Sequence, residues 1–132
     1  MLSHRAEAPV ASRILVVDDE PGMRRSLAIM LRRAQYEVTE TASVAEAVGR
    51  LKGESYNLII ADLMMEPLNG LDLLPLARKY QPDCPIIIVT AFGSSEARSE
   101  ALRMGAADFF DKPVEASALL RRIVEVLRQG EA

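Results

Sequence analysis

The stretch Ile14-Leu-Val-Val-Asp-Asp-Glu20 decides the fold, because it joins a short, continuously apolar run to a group of adjacent carboxylates. Two further runs, Leu58–Ala61 and Ile86–Val89, have the same apolar character. Each of them is followed directly by a polar residue, Asp62 or Thr90. Continuous apolar runs of this length are typical of parallel strands that are covered on both faces. The three runs therefore predict the buried strands of one parallel sheet.

Patterns of helical spacing separate these runs. Apolar residues recur at the spacing of one helix face within residues 23–34, 44–51 and 119–127. Two further helices are predicted, one at residues 71–80 before Pro82 and one that runs to Met104 and ends at Gly105. Ser43, and Ser94 or Ser95, are suitable N-caps for two of these helices. Val38–Thr41 and Phe109-Phe110 are weaker strand patterns among polar residues, so we place them nearer the sheet edges. Because β-α-β crossovers are right-handed, we expect an α/β fold: a (βα)5 doubly wound, five-stranded parallel sheet of the flavodoxin-like type.

The composition narrows the class of protein. The 132 residues suffice for one ordinary domain, which we place at residues 13–129 after a mobile tail at residues 1–12. The formal net charge of −3 argues against direct nucleic-acid binding. The single cysteine, Cys84, cannot form an internal disulfide, and no apolar stretch approaches the roughly 20 residues that span a bilayer. We therefore expect a reduced, cytoplasmic setting and no membrane association.

Polar residues at the downstream ends of the apolar runs define a candidate site. These residues are Asp18, Asp19, Asp62, Thr90 and Lys112. The carboxyl ends of parallel strands lie at one sheet edge, where open α/β sheets bind their ligands. Adjacent carboxylates repel one another unless a cation neutralises them, and carboxylate oxygens are ligands of Mg²⁺. A carboxylate can also attack phosphorus, while a lysine and a hydroxyl can bind phosphoryl oxygens. The pattern predicts phosphoryl chemistry that depends on Mg²⁺.

Four stretches together form a specific pattern. They are Ile14-Leu-Val-Val-Asp-Asp-Glu20, Ala61-Asp-Leu-Met-Met65 with Asn69-Gly70, Ile88-Val-Thr-Ala91, and Gly105-Ala-Ala-Asp-Phe-Phe-Asp-Lys-Pro113. In these stretches the chain resembles the receiver domain of bacterial two-component response regulators. The resemblance covers about residues 12–129.

The resemblance implies a role for each residue of the candidate site. Asp62 would be the phosphoacceptor, and Lys112 would contact the phosphate. Mg²⁺ would be bound by four residues: Asp18, Asp19, Asp62 and, through its carbonyl, Met64.

The resemblance also implies a conformational switch. Thr90 and Phe109 match the switch pair of the family, in which phosphorylation draws the threonine inward and the aromatic ring rotates into the vacated space. The surface that changes its contacts would run from Ser94 to Arg128. The Lys112–Pro113 peptide bond is expected to be cis, as is typical of the family.

By the same resemblance, the protein is a signalling module that catalyses only its own phosphorylation and slow dephosphorylation. The phosphoryl donor would be a sensor histidine kinase or a phosphotransfer protein. The signal would pass to a downstream effector domain or protein through the Ser94–Arg128 surface. The sequence leaves open whether the protein forms a homodimer. The pattern Thr90-Ala-Phe-Gly-Ser94 looks most like receivers that precede transcription-activating ATPase domains.

Two other classes of protein fit the sequence less well. A Mg²⁺-dependent phosphatase or phosphotransferase of the aspartyl-phosphate type uses similar residues, but it generally needs an acid-base Asp two positions after the nucleophile, where this chain has Met64. A nucleotide-binding module would need a glycine-rich phosphate loop after the first strand, where this chain has Asp-Asp-Glu-Pro-Gly.

The chain departs from the receiver pattern at three positions. Receivers commonly have proline four residues after the phosphoacceptor, but this chain has Glu66 there and Pro67 next. Phe109 replaces a common tyrosine, and Val114 replaces a common phenylalanine.

Overall fold

A computed structural model describes residues 11–131, with side chains described as far as residue 129. Residues 1–10 of the expected tail therefore lie outside the described residues. The strands within this range are β1 Arg13–Val17, β2 Glu37–Thr41, β3 Leu58–Ala61, β4 Ile86–Thr90 and β5 Asp108–Asp111. The helices are α1 Pro21–Arg33, α2 Val44–Gly53, α3 Gly70–Tyr80, α4 Ser95–Arg103 and α5 Ala116–Glu131.

The five strands form one parallel sheet in the order β2-β1-β3-β4-β5. This topology confirms the predicted (βα)5 arrangement, and β2 and β5 lie at the edges as expected. β3 occupies the centre of the sheet, so Asp62 follows the central strand. Every residue of β3 is buried, which explains why its sequence is continuously apolar.

Helices cover both faces of the sheet. On one face, α1 and α5 pack against Ile14 and Val16 through residues that include Leu31 and Ile123. On the other face, α2, α3 and α4 pack against a core that includes Leu15. The alternation of neighbouring β1 residues between the two cores is the period of two that a strand imposes on its side chains. No helix within residues 11–131 is both long and apolar enough to cross a membrane.

Candidate functional site

The sheet brings the polar residues of β1, β3 and β5 to one edge and fixes their backbones there. The Asp18 N–H donates to the Thr41 carbonyl at 3.1 Å, so the ladder between β1 and β2 continues one residue beyond β1. In the same way, the Asp62 N–H donates to the Val17 carbonyl at 2.9 Å, and the Lys112 N–H donates to the Thr90 carbonyl at 2.8 Å. Hydrogen bonds to neighbouring strands therefore hold the backbone of Asp18, Asp62 and Lys112 in place.

Lys112 joins the two buried carboxylates of this edge. Its Nζ lies 3.0 Å from Asp18 Oδ2 and 3.0 Å from Asp62 Oδ2. Both aspartates are buried, and the Lys112 side chain is 12% exposed. Lys112 thus pairs with a carboxylate 94 positions away in sequence, because the ends of the parallel strands converge at one edge of the sheet.

Burial and hydrogen bonding together shift the pKa values of Asp18 and Lys112. Desolvation raises the pKa of Asp18 above its ordinary value, and the hydrogen bonds from Glu20 and Lys112 offset only part of the rise. Burial on its own would lower the pKa of Lys112, but the hydrogen bonds to Asp62 and Asp18 outweigh it, so the pKa is raised. Lys112 therefore stays charged. A further cation near Asp18 would favour the ionised form of the Asp18 carboxylate.

The second oxygen of each carboxylate accepts a hydrogen bond from the backbone. Asp18 Oδ1 accepts from the Glu20 N–H at 3.0 Å, and Asp62 Oδ1 accepts from the Met64 N–H at 3.0 Å. The Asp18 carbonyl also accepts from Arg24 Nη1 at 2.8 Å. These bonds limit the side-chain freedom of both aspartates, which favours chemistry that depends on positioning.

Glu20 and Asp19 differ from the two buried aspartates. The Glu20 carboxylate caps α1 by accepting from the Gly22 and Met23 N–H groups at 3.0 Å each, so it serves the helix. Asp19 is exposed beside Asp18. Among residues 11–129, no three His, Cys, Asp or Glu side chains are grouped so that they could hold a metal ion. Asp18 and Asp62 are therefore the carboxylate pair that the described structure assembles, and Asp19 stands outside it.

A small cavity of about 150 Å³ opens beside this pair, between α1, α5 and the strand ends. The residues that make its wall apolar include Met23, Leu27, Met30, Val114 and Leu119. An apolar wall on one side of the carboxylates reduces their solvation, which agrees with the raised pKa of Asp18.

The predicted switch residues are both buried. Thr90 is fully buried, and its Oγ1 accepts a hydrogen bond from the Phe92 N–H at 3.2 Å. The Phe109 side chain belongs to the core beneath α2, α3 and α4 and is only 3% exposed. The ring is thus already inside the protein in this structure. The Lys112–Pro113 bond is cis as expected, and Glu66–Pro67, where the chain departs from the receiver pattern, is cis as well.

Two arginines near the site were not identified from the sequence. Arg24 holds the Asp18 carbonyl, and Arg98 Nη1 donates to the Phe109 carbonyl at 2.8 Å. Both lie on helices whose charged faces look like ordinary solvated surfaces in the sequence. The hydrogen bond of Arg98 depends on tertiary packing between α4 and β5, so helical periodicity alone gave no signal for it.

The doubly wound parallel sheet, with Lys112 between two buried carboxylates at its carboxyl edge, places the chain among α/β proteins that have a charged site at the ends of their strands. The profile of the response regulator receiver domain matches residues 14–124. The chain therefore belongs to the response regulator receiver domain family, and the resemblance found in the sequence is confirmed.

Individual relatives support this assignment. The transcriptional regulatory protein GlrR of Escherichia coli is 37% identical over 117 residues, which is 89% of this chain and 26% of GlrR. The response regulator protein PilR of Pseudomonas aeruginosa is 35% identical over 114 residues, covering 86% of this chain and 26% of PilR. The chain thus spans about a quarter of the length of these curated relatives.

Solved structures show the same fold. A CheY-like response regulator receiver domain protein from Methanospirillum hungatei superposes with a TM-score of 0.88 and 33% identity, covering 92% of this chain and 98% of that chain. The chain is therefore a receiver domain in fold as well as in sequence, and it is a signalling module of the two-component type.

Proposed function

We propose that this receiver accepts a phosphoryl group on Asp62 and that Lys112, Thr90 and a bound Mg²⁺ support the transfer. The observation that carries the proposal is the position of Lys112 Nζ, 3.0 Å from the carboxylate oxygens of both Asp18 and Asp62. A cation held at the tip of a buried nucleophile can neutralise an incoming anion, and phosphoryl transfer relies mainly on such positioning and charge.

Within the site, each residue has a distinct task. Asp62 supplies the attacking oxygen, while the Met64 N–H holds the other carboxylate oxygen at 3.0 Å. The bond between phosphorus and its donor breaks as the bond between Asp62 and phosphorus forms, so no oxidant or further reactant is needed. Lys112 then pairs with a phosphoryl oxygen, and the Thr90 hydroxyl donates to another after leaving the Phe92 N–H.

The donor set of the site fits Mg²⁺. Mg²⁺ is usually bound through one or two carboxylates and keeps several waters, so the pair of Asp18 and Asp62 provides a sufficient core. Asp19 and the Met64 carbonyl, implied by the family, would complete the protein ligands. When bound, the ion would neutralise the negative charges that approach one another during transfer. Glu20 does not compete for it, because its carboxylate caps α1.

Membership of the family supports a proposal for the partners and the domain boundaries. We assign the receiver domain to residues 13–129 and the protein to the cytoplasm, and we assign the phosphoryl donor to a sensor histidine kinase or a phosphotransfer protein. Both GlrR and PilR are named as regulators and are about four times as long as the matched region. A downstream effector domain or protein that contacts the Ser94–Arg128 surface is consistent with this difference in length.

Mass spectrometry after incubation with acetyl phosphate and Mg²⁺ tests the assignment. The wild-type protein should gain one phosphoryl group that maps to Asp62, and EDTA should abolish the gain. Asp62→Asn should not be labelled. Asp83→Asn is a matched control, because Asp83 is exposed in the loop before β4, at the opposite edge of the sheet. Labelling of Asp62→Asn at the wild-type rate would show that the acceptor is another residue.

The rival function, an aspartyl-phosphate phosphatase or phosphotransferase, is not favoured. Position 64, where such enzymes generally place their acid-base Asp, is a methionine whose side chain is 52% exposed. The side chain has no titratable group, so it cannot protonate a leaving group. Incubation with a small phosphate ester such as p-nitrophenyl phosphate should give no sustained turnover, and continuous product release would restore the rival.

A further inference from the structure

The backbone of Phe109 lies on an edge strand and is capped from outside the sheet. β5 pairs only with β4, so alternate N–H and C=O groups of β5 have no strand partner. The Phe109 N–H donates to Asp108 Oδ1 at 2.7 Å, and its C=O accepts from Arg98 Nη1 at 2.8 Å. Arg98 thus satisfies a polar group of the same residue whose ring is buried in the core.

Arg98 makes two further contacts with β5. Its guanidinium carbon lies 5.9 Å from the centre of the Phe109 ring, and its Nη2 lies 3.8 Å from Asp108 Oδ1. One side chain of α4 therefore contacts the carbonyl and the ring of Phe109 and the carboxylate of its neighbour. The planar guanidinium can make these contacts together, whereas a lysine ammonium cannot.

The rest of α4 contributes little to its own attachment. Ala101 is the one residue of α4 that is fully buried, and Ala97 is only partly buried against the core. Burial of a few methyl groups stabilises much less than burial of leucine or isoleucine side chains. Arg98 therefore adds a hydrogen bond, an ion pair and a ring contact to a helix that has little apolar contact with the core.

The loop before α4 is shaped around the buried ring. A methyl group on Gly93 would lie 2.8 Å from Cε1 of Phe109 and would overlap Oδ1 of Asp111. The ring in its buried position thus occupies the space beside position 93, and both this loop and Arg98 of α4 lie close to it.

We propose that Arg98 is a positioning residue of the switch: it holds Phe109 in its buried position and α4 against β5, and so couples the phosphorylation site to the Ser94–Arg128 surface. Only one part of this inference, the coupling of the phosphorylation site to the Ser94–Arg128 surface, rests on the proposed function. Its structural part, the retention of the ring and of α4 by Arg98, rests on the contacts of Arg98 with Phe109 and Asp108.

Substitution of Arg98 is structurally mild enough to be informative. Arg98→Ala leaves Asp108 paired with Arg122, whose Nε lies 2.7 Å from Asp108 Oδ2, so no carboxylate is left without a cation. Arg98→Lys keeps the charge but loses the planar fork. Arg103→Ala is the matched control, because Arg103 belongs to the same helix and its ion pair is with Glu100 of α4.

The first experiment tests the structural part without phosphate. Two signals are measured in each variant and in the wild type. One is the amide hydrogen exchange of residues 97–103, and the other is the ¹⁹F NMR signal of 4-fluorophenylalanine incorporated at position 109. Because half of the Arg98 side chain is exposed, Arg98→Ala should accelerate exchange in α4 by about three- to tenfold. It should also move the fluorine signal toward that of the unfolded protein. Arg98→Lys should show a smaller change, and Arg103→Ala should match the wild type.

The second experiment tests the coupling with beryllofluoride and Mg²⁺ as the phosphoryl analogue. Since linkage is reciprocal, releasing the ring from its buried position should weaken analogue binding in Arg98→Ala by about three- to tenfold, with no change in Arg103→Ala. An unchanged affinity overturns the coupling, and unchanged exchange and fluorine signals overturn the retention of the ring. If Arg98→Ala does not fold, the same criteria apply to Arg98→Lys. Failure of the wild type itself to bind the analogue would count against the proposed function and leave the first experiment decisive for Arg98.

Discussion

At the scale of single residues, the site depends on one cation shared by two buried carboxylates. Lys112 lies between Asp18 and Asp62, and each carboxylate has its remaining oxygen bound by a backbone N–H. Without Lys112 the two carboxylates would face one another through an apolar environment, which is unfavourable for both ionised forms. The lysine therefore stabilises the folded protein in addition to its proposed contact with an incoming phosphoryl group.

Replacement of Lys112 should consequently reduce stability in a way that Mg²⁺ relieves. In the presence of EDTA, Lys112→Met should lower the free energy of unfolding by about 1.5–3 kcal/mol, the range for lost hydrogen bonds to charged groups. Added Mg²⁺ should recover part of this loss by neutralising the carboxylates. Urea unfolding with and without Mg²⁺ measures both quantities. Lys79→Met, on exposed surface of α3, serves as the control. An equal loss with and without Mg²⁺ would contradict the shared-cation interpretation.

The lifetime of the phosphorylated state is a second property of individual residues. By the family resemblance, positions 64 and 92 flank the path of the hydrolytic water, and here they hold Met64 and Phe92, which are 52% and 70% exposed. Apolar side chains cannot orient an attacking water, and such positioning is most of what this hydrolysis needs. We therefore predict slow loss of phosphate from Asp62.

Polar side chains at the two positions should shorten that lifetime. The double variant Met64→Asn with Phe92→Glu should lose phosphate about tenfold faster or more, if each new group contributes about 1 kcal/mol. The decay of the labelled protein after removal of acetyl phosphate gives the rate. Leu68→Asn, an exposed apolar position in the same loop as Met64, should decay like the wild type. Identical decay in the double variant and the wild type would rule the idea out.

At the scale of helices and strands, the sequence predicted what local pattern controls. The three buried strands were found because parallel strands covered on both faces are continuously apolar, and Asp62 and Thr90 were placed because strand ends lie on one edge. Ser43 and Ser94 act as N-caps, accepting from the Glu46 and Ala97 N–H groups at 3.1 and 3.0 Å. Each of these features depends on a few neighbouring residues.

Features that depart from local residue preferences, or that depend on tertiary contacts, were not predicted. Glu20 caps α1 although glutamate is not among the preferred N-cap residues, so its carboxylate looked like a part of the acidic cluster. Lys112 was expected to contact phosphate, but its ion pairs with Asp18 and Asp62 depend on the side-chain conformations of three strand ends. The contact of Arg98 with Phe109 likewise requires the packing of α4 on β5. Periodicity contains no information about such distances.

The start of α3 offers a test of packing between elements. A methyl group on Gly70 would lie 2.6 Å from the Asp62 carbonyl oxygen and 3.1 Å from the Leu63 Cα, both of which are backbone atoms that cannot easily move. Gly70→Ala should therefore destabilise the protein by about 1–3 kcal/mol, as overpacking does, and slow the labelling of Asp62 by acetyl phosphate.

Gly49 provides the matched control for this substitution. It lies inside α2, and a methyl group there would meet nothing within 4 Å. Gly49→Ala should stabilise the protein by about 0.5–1 kcal/mol because alanine is the better helix former. Urea unfolding of both variants gives the comparison. Equal and small effects at the two positions would show that α3 can shift away from β3 without loss.

At the scale of the whole molecule, the sheet separates the edge with the proposed phosphorylation site from an opposite edge that contains the single cysteine of the sequence. Cys84 lies in the loop before β4, is partly buried and packs against the core beneath α2, α3 and α4. Burial raises its pKa from an ordinary 9.0 to about 12. Since the thiolate is the nucleophile, the folded protein should contain very little reactive sulfur at neutral pH. The sequence-based view of Cys84 as an inert loop thiol agrees with this environment.

Alkylation of Cys84 should therefore report the opening of the whole fold. At pH 8.5, iodoacetamide should modify the native protein far more slowly than it modifies the same protein in urea, because only the unfolded thiol titrates near 9.0.

The raised pKa of Cys84 also means that the free energy of unfolding should fall as the pH rises above 9.0. The contribution of the neutral thiol is fully present below pH 9.0 and is lost as the pH rises toward about 12, since the unfolded state releases its proton first. Cys84→Ser, compared with the wild type by urea unfolding at pH 8 and pH 10, should remove that part of the alkaline loss. Rapid native alkylation at pH 8.5, at the rate of a free thiol, would contradict both expectations and place Cys84 in a solvated, ionisable position.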